Sequence, residues 1–162
     1  MSIPKINIRK AKQADLTQIY SLEEEYIKEI EPENLARWKA AEVGIKAQLQ
    51  SSLKNIFVVE DDNRIIGHCF WELLEGTAHI YSICVTKAYR RKGLASQLMT
   101  FTESDCRAKG HKRISLQTRR TNPAEFLFQR LEYTYLEEKE NWLYFEKALP
   151  NTPERINTSL NS

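Results

Sequence analysis

The chain opens on alternation: Ile6 and Ile8 stand between polar neighbours, the period of two that marks a half-buried strand. Near Lys12 to Asp15 the period lengthens to that of a helix, with Leu16, Ile19, Tyr20, Tyr26, Ile27 and Ile30 recurring and Pro32 as the stop. Asp15 falls in its first turn, where a carboxylate suits the positive end of the helix dipole. Leu35, Trp38, Ile45 and Leu49 mark a second, weaker helix, which Gly44 is expected to interrupt.

From Ile56 the pattern changes. Ile56-Phe57-Val58-Val59 is a compact apolar run, the polar turn Asp61-Asp62-Asn63-Arg64 leads to a second run from Ile65 to Leu74, and Glu75-Gly76 turns the chain into a third from Thr77 to Val85. Runs joined by such short turns predict an antiparallel meander. A helix follows from about Gly93 to Lys109, with Ala95, Leu98, Met99, Thr102 and Cys106 on one face and Gly110 beyond its end. Ile114 and Leu116 predict a fifth strand; because it and the fourth flank a helix, a right-handed crossover should make the two parallel. Pro123 opens another helix through Ala124, Leu127, Phe128 and Leu131, and strands around Tyr133 to Glu137 and Trp142 to Lys147 close the fold. The expected class is α/β of the α+β type: a mixed, mostly antiparallel sheet of about seven strands with helices on both faces. With no repeat and no linker, residues 1–149 are expected to form a single domain, and residues 150–162, poor in apolar side chains, a flexible tail.

Composition leaves this picture standing: 162 residues with 41% apolar and 28% charged suit one globular core. Cys69, Cys84 and Cys106 are odd in number and too far apart for a CxxC pair, which predicts reduced thiols, no bound metal and a cytoplasmic protein. Residues 1–20 hold no apolar signal core and eighteen apolar residues never run together, so neither secretion nor membrane association is expected.

Charge alters the picture more. From Lys87 to Arg120 ten basic residues face only Glu103 and Asp105, giving that segment +8 and the remainder −6, much of it between Glu23 and Glu33. A basic centre implies an anionic ligand, either phosphate or nucleic acid. Within it, Ile83 to Met99 reads strand, basic turn, glycine, helix. The first turn of a helix offers unpaired N–H groups and the positive end of a dipole, and small residues at Gly93 and Ala95 let a pyrophosphate approach them, with Arg90, Arg91 and Lys92 around it. The plainer alternative is a solvated basic turn leading into an ordinary helix.

Arg90-Arg91-Lys92-Gly93-Leu94-Ala95 matches Gln/Arg-x-x-Gly-x-Gly/Ala, and in this the chain resembles the GNAT superfamily of acyl-CoA-dependent N-acetyltransferases. Ile8-Arg9-Lys10-Ala11 followed by Asp15 is similar to the family's opening, and residues 6 to 147 follow its order of elements. The resemblance implies that the fourth and fifth strands splay, that the pantetheine arm of acetyl-CoA pairs with Ile83, Cys84 and Val85, and that Arg90, Arg91, Lys92, Gly93, Leu94, Ala95 and Ser96 hold the pyrophosphate. It also implies that the Ile83 N–H polarises the thioester carbonyl. Direct acyl transfer needs no nucleophilic cysteine, so Cys84 is read as packing.

His79, four residues before Ile83, stands where some members carry a base, and a period of two would set it on one face with Tyr81, Ile83 and Val85. The family pattern Asn-x-x-Ala-x-x-x-Tyr-x-x-x-Gly-Phe departs here to Thr121, Ala124, Phe128, Glu132 and Tyr133. The usual tyrosine acid is thus replaced by Phe128, and Tyr133, Tyr135 or Tyr89 could stand in for it. The expected activity is transfer of acetyl from acetyl-CoA to a primary amine, on a small molecule or on a protein lysine or N-terminus, with a homodimer left open. Two other readings are a catalytically silent acyl-CoA-binding protein and a nucleic-acid-binding module using residues 87–120; the latter lacks interleaved exposed aromatics.

Overall fold

In the computed structural model, which describes residues 6–150, the segments of period two are strands β1 (Ile6–Lys10), β2 (Ile56–Asp61), β3 (Arg64–Leu74), β4 (Thr77–Val85), β5 (Arg113–Arg119), β6 (Thr134–Lys139) and β7 (Trp142–Ala148). The helices are α1 (Leu16–Ile30), α2 (Leu35–Ala40), α3 (Glu42–Ser51), α4 (Leu94–Ala108) and α5 (Ala124–Arg130). One sheet takes all seven strands in the order β1-β2-β3-β4-β5-β7-β6, antiparallel except at β4 and β5, which run parallel as the intervening helix requires. The sequence expected as a tail lies, from residue 151 onward, outside the described residues.

Helices cover both faces. On one, α4 and α5 bury Leu94, Leu98, Met99, Cys106 and Phe128 against Cys69, Trp71, Ile80, Leu116 and Phe145. On the other, Ile19 of α1 and Leu49 of α3 pack on Ile56, Val58, Ile65 and Phe70. The alternation of β2 and β3 feeds both cores, which is why these central strands read as nearly unbroken apolar runs.

The β2–β3 hairpin turns on Asp62 and Asn63, both with positive φ, as a two-residue turn of primed type demands. The second helix differs from expectation. Its interruption falls at Ala41, whose N–H is shared between the Arg37 and Trp38 carbonyls, while Gly44 lies inside α3. The break lets Trp38 stack on Tyr20 at 4.7 Å while Leu49 turns into the core beside Ile19.

Candidate active site

The site begins with a gap between parallel strands. β4 and β5 pair only over Ala78–Ile80 and Ile114–Leu116; beyond that point they separate, leaving Tyr81 to Val85 without a partner on that side. The separation coincides with a bulge. Phe70 pairs with Ser82 but Trp71 with Ile80, so Tyr81 is an extra residue in β4 and bends the strand away from β5.

The bulge also reverses the alternation of side chains. Ala78 and Ile80 belong to the α4 core, and past Tyr81 that face is taken by Ile83 and Val85. His79 therefore lies on the opposite face from Ile83 and Val85, and the expectation that they share one fails because an extra residue was inserted between them.

Backbone direction follows from one hydrogen bond. The Thr86 N–H donates to the Ile66 carbonyl at 2.8 Å, and residues of an antiparallel strand alternate in the side to which their N–H and C=O point. Cys84 and Ser82 thus address β3, and the polar backbone groups of Ile83 and Val85 face the gap. Gly67 permits this close pairing: a Cβ there would lie 3.0 Å from the Cys84 carbonyl oxygen.

Beyond β4 the chain turns into α4. Gly93 has φ +79° and caps the helix in a left-handed conformation, with nothing within 4 Å of where a Cβ would stand. The first helical hydrogen bond runs from Gln97 N–H to the Gly93 carbonyl, so the amides of Leu94, Ala95 and Ser96 are left for a ligand. Arg91 and Lys92 are exposed beside them. Arg90 is engaged elsewhere: its Nε donates to the Val85 carbonyl at 2.8 Å and its guanidinium grips both oxygens of Glu29 on α1, at 2.6 and 2.8 Å. Lys109, Arg113, Arg119 and Arg120 are likewise paired, with Asp105, Glu146, Glu31 and Glu138. Half of the basic segment is thus neutralised by this chain's own carboxylates, which weakens it as a nucleic-acid surface.

Through the sheet, between the diverging strands, runs a cleft of about 180 Å³ walled by α1, β4, β5 and the start of α5. Tyr26 of α1 donates to Asn122 Oδ1 at 3.1 Å, and burial pushes its hydroxyl up to about 12. Asn122 Oδ1 also accepts the Ala124 N–H at 2.8 Å, and its Nδ2 donates to Glu31 at 2.9 Å. Arg119 lies 3.3 Å from Glu31 and 4.2 Å above the Trp142 ring. Glu23 reaches the cleft from α1; burial pushes its carboxyl up to about 7, the Ser82 hydroxyl opposing the shift.

His79 is buried where β4 and β5 still pair and does not line the cleft. Its Nδ1 lies 2.8 Å from Ser115 Oγ, its ring meets Tyr81 edge-on, and burial lowers it to about 4. Tyr133 is farther off: its buried hydroxyl donates to Glu103 at 2.7 Å, on the α4 side. Tyr89 is tied to Asp61 and Arg64, Tyr135 is exposed on the edge strand β6, and Phe128 lines the cleft with a ring that has no proton to give. Cys84 is buried on the α1 side, where burial holds its thiol well above the ordinary value. Two cleft residues, Tyr26 and Asn122, escaped the reading of the sequence as site residues, and Glu23 entered it only as part of an acidic run. Glu23 stands four residues from both Ile19 and Ile27, so a carboxylate on the apolar stripe of α1 was the available signal.

The family described as "Acetyltransferase (GNAT) family" matches residues 14–133. Among solved structures, PaiA N-acetyltransferase from Thermoplasma acidophilum in complex with coenzyme A is 20% identical, with a TM-score of 0.72 over 91% of this chain and 99% of that one. An N-acetyltransferase from Staphylococcus aureus Mu50 is 22% identical, with a TM-score of 0.67 over 90% and 99%. N-acetylglutamate synthase from Neisseria gonorrhoeae, complexed with coenzyme A and N-acetyl-glutamate, is 15% identical, with a TM-score of 0.70 over 93% of this chain but 36% of that one. No curated protein matches. Among the described residues, no helix is long and apolar enough to cross a membrane.

Proposed function

The chain belongs to the GNAT acetyltransferase family, and from that premise we propose that it moves acetyl from acetyl-CoA directly to a primary amine, small molecule or protein lysine or N-terminus, within one ternary complex. The observation that carries this reading is the free edge of β4: past the bulge at Tyr81, the backbone groups of Ile83 and the N–H of Val85 face a gap that β5 has left, the Val85 carbonyl being held by Arg90. A pantetheine arm, which is a chain of amides, is the kind of ligand that pairs with such an edge. The amides of Leu94, Ala95 and Ser96, with Arg91 and Lys92 around them, suit its pyrophosphate. Arg90 serves the same turn indirectly, by fastening it to Glu29 of α1.

In this reading acetyl-CoA supplies the thioester, and the Ile83 N–H is the donor to the oxygen that becomes negative on attack. Cys84, kept as a thiol by its burial, is a poor nucleophile, which favours direct transfer over an acyl-cysteine. The Tyr26 hydroxyl on the cleft wall takes the acid's place that Phe128 leaves vacant. His79, off the cleft wall and lowered to about 4 by burial, is a weak base at neutral pH.

The test is release of free thiol from acetyl-CoA across primary amines, with N-acetylated product measured alongside. Wild type is expected to release thiol and product in equal amounts with at least one amine. Gly93→Glu is expected to abolish release and the stabilisation by acetyl-CoA, about 2.7 kcal/mol at a hundred times Kd. Stabilisation without thiol release for any amine would make the chain a silent acyl-CoA binder.

A further inference from the structure

Of the carboxylates on the cleft wall, Glu31 is held by Arg119 and Asn122, whereas Glu23 has no cation among the described residues. Behind Glu23 stands His68 of β3, wholly buried, with Nε2 3.5 Å from Glu23 Oε1. Neither ring nitrogen of His68 has a hydrogen-bond partner. Such a histidine is costly to keep unless something uses it. We propose that Glu23 is the group that takes the proton from the incoming ammonium, and that His68 is the positioning residue behind it.

This inference rests on the acetyl-transfer reading and deepens it. Glu23 shares the cleft wall with Ser82 and Ile83, so a nitrogen poised to attack a thioester polarised at Ile83 lies on the carboxylate's side of the gap. An ammonium meets an unpaired carboxylate more favourably than any other group on that wall. The N–H bond breaks towards Glu23, which becomes the neutral acid; the amine's freed electron pair forms the C–N bond. As the tetrahedral centre collapses, the C–S pair leaves with sulfur, the nitrogen's surplus proton ends on the thiolate as thiol, and Glu23 returns its own proton to water.

His68 suits both states of Glu23 because no other group fixes its tautomer. At 3.5 Å a small shift of either group closes a hydrogen bond: with the proton on Nε2 His68 would donate to the carboxylate, and with the proton on Nδ1 it would accept from the acid. Burial keeps the imidazole neutral, lowering it to about 4, so it adds no competing charge. The other groups around Glu23 are the Ser82 hydroxyl and the Cys84 thiol from β4, Tyr26 from α1 and Glu31 just past its end, Asn122 beyond β5, and Arg119, whose charge goes to Glu31. Burial and the Glu31 charge together lift Glu23 to about 7, where a base is most effective at neutral pH.

The experiment compares wild type, Glu23→Gln, His68→Leu and His79→Gln in thiol release with the best primary amine of the panel, across pH. Infrared titration of each acetyl-CoA-bound protein follows the carboxylic C=O band. Glu23→Gln is expected to lower turnover about a hundredfold or more, to remove the ionisation near neutral pH and the matching infrared band, and to leave acetyl-CoA stabilisation unchanged. His68→Leu is expected to move that ionisation upward by about one pH unit, since the carboxylate loses a donor; a purely structural role would leave it in place. A Glu23→Gln variant with wild-type rate and pH profile overturns the inference, as does loss of the ionisation in His79→Gln. Wild-type protein that releases no thiol with any amine overturns the acetyl-transfer reading itself.

Discussion

At the scale of single residues, several side chains stand in conformations that only their surroundings justify. Glu132 has φ +68°, a left-handed conformation that costs a non-glycine residue about 1–2 kcal/mol. It occupies the place where the resembling family pattern has glycine. Glycine would regain that strain and give back about 0.5–1 kcal/mol in backbone entropy. Glu132→Gly is thus expected to raise the melting temperature by a degree or a few, as a thermal melt would read; a lower melting temperature would mean that the Glu132 side chain contributes something its exposed position does not reveal. The glycine at 93 was legible from motif spacing, because a left-handed residue before a helix admits few alternatives. Glu23 and Asn122 were not. A carboxylate in an acidic run reads as solvated surface until a neighbouring strand places His68 against it, and Asn122 stands one position from the Thr121 that the family pattern singles out.

At the scale of elements, the start of α1 carries a half-buried charge pair. Asp15 receives two hydrogen bonds from Arg9 of β1, at 2.8 and 3.1 Å, and one from the Lys12 N–H at 2.7 Å. Burial raises its carboxyl, but these donors outweigh it and hold Asp15 below the ordinary range. A depressed carboxyl contributes stability above its unfolded value and loses it as pH falls through the folded one, so the contribution fades below about pH 4. Asp15→Asn is expected to cost about 1–3 kcal/mol at pH 7, with a smaller difference from wild type at pH 3. Melts at both pH values decide it, and an equal deficit at each would refute the charge pair as the source. The meander of β2 to β4, the parallel β5 and the long helices could be read from apolar runs, turn residues and periodicity, because α1 and α4 each bury one face and β2 and β3 both of theirs. The bulge at Tyr81 could not: it adds one residue without changing the local composition, yet it turns His79 away from Ile83 and opens the cleft.

At the scale of the whole molecule, the basic centre and acidic flank seen in the sequence turn out to be complementary halves of one fold. Glu29 of α1 and Glu31 just past its end meet Arg90 and Arg119, so part of the charge that suggested a polyanion partner instead joins α1 to β4 and β5. What stays exposed at the turn into α4 is Arg91 and Lys92, beside the three free amides of Leu94, Ala95 and Ser96. That is the size of a pyrophosphate site rather than of a nucleic-acid groove. The proposed place of the acyl carrier is the gap between β4 and β5, along the free edge of β4. Amide-resolved hydrogen exchange, with and without acetyl-CoA, tests it most directly. Acetyl-CoA is expected to give new protection to the Ile83 and Val85 N–H groups and to those of Leu94, Ala95 and Ser96, while Ser82 and Cys84, already bonded to β3, change little. Binding of acetyl-CoA that leaves Ile83 and Val85 exchanging as before would contradict it.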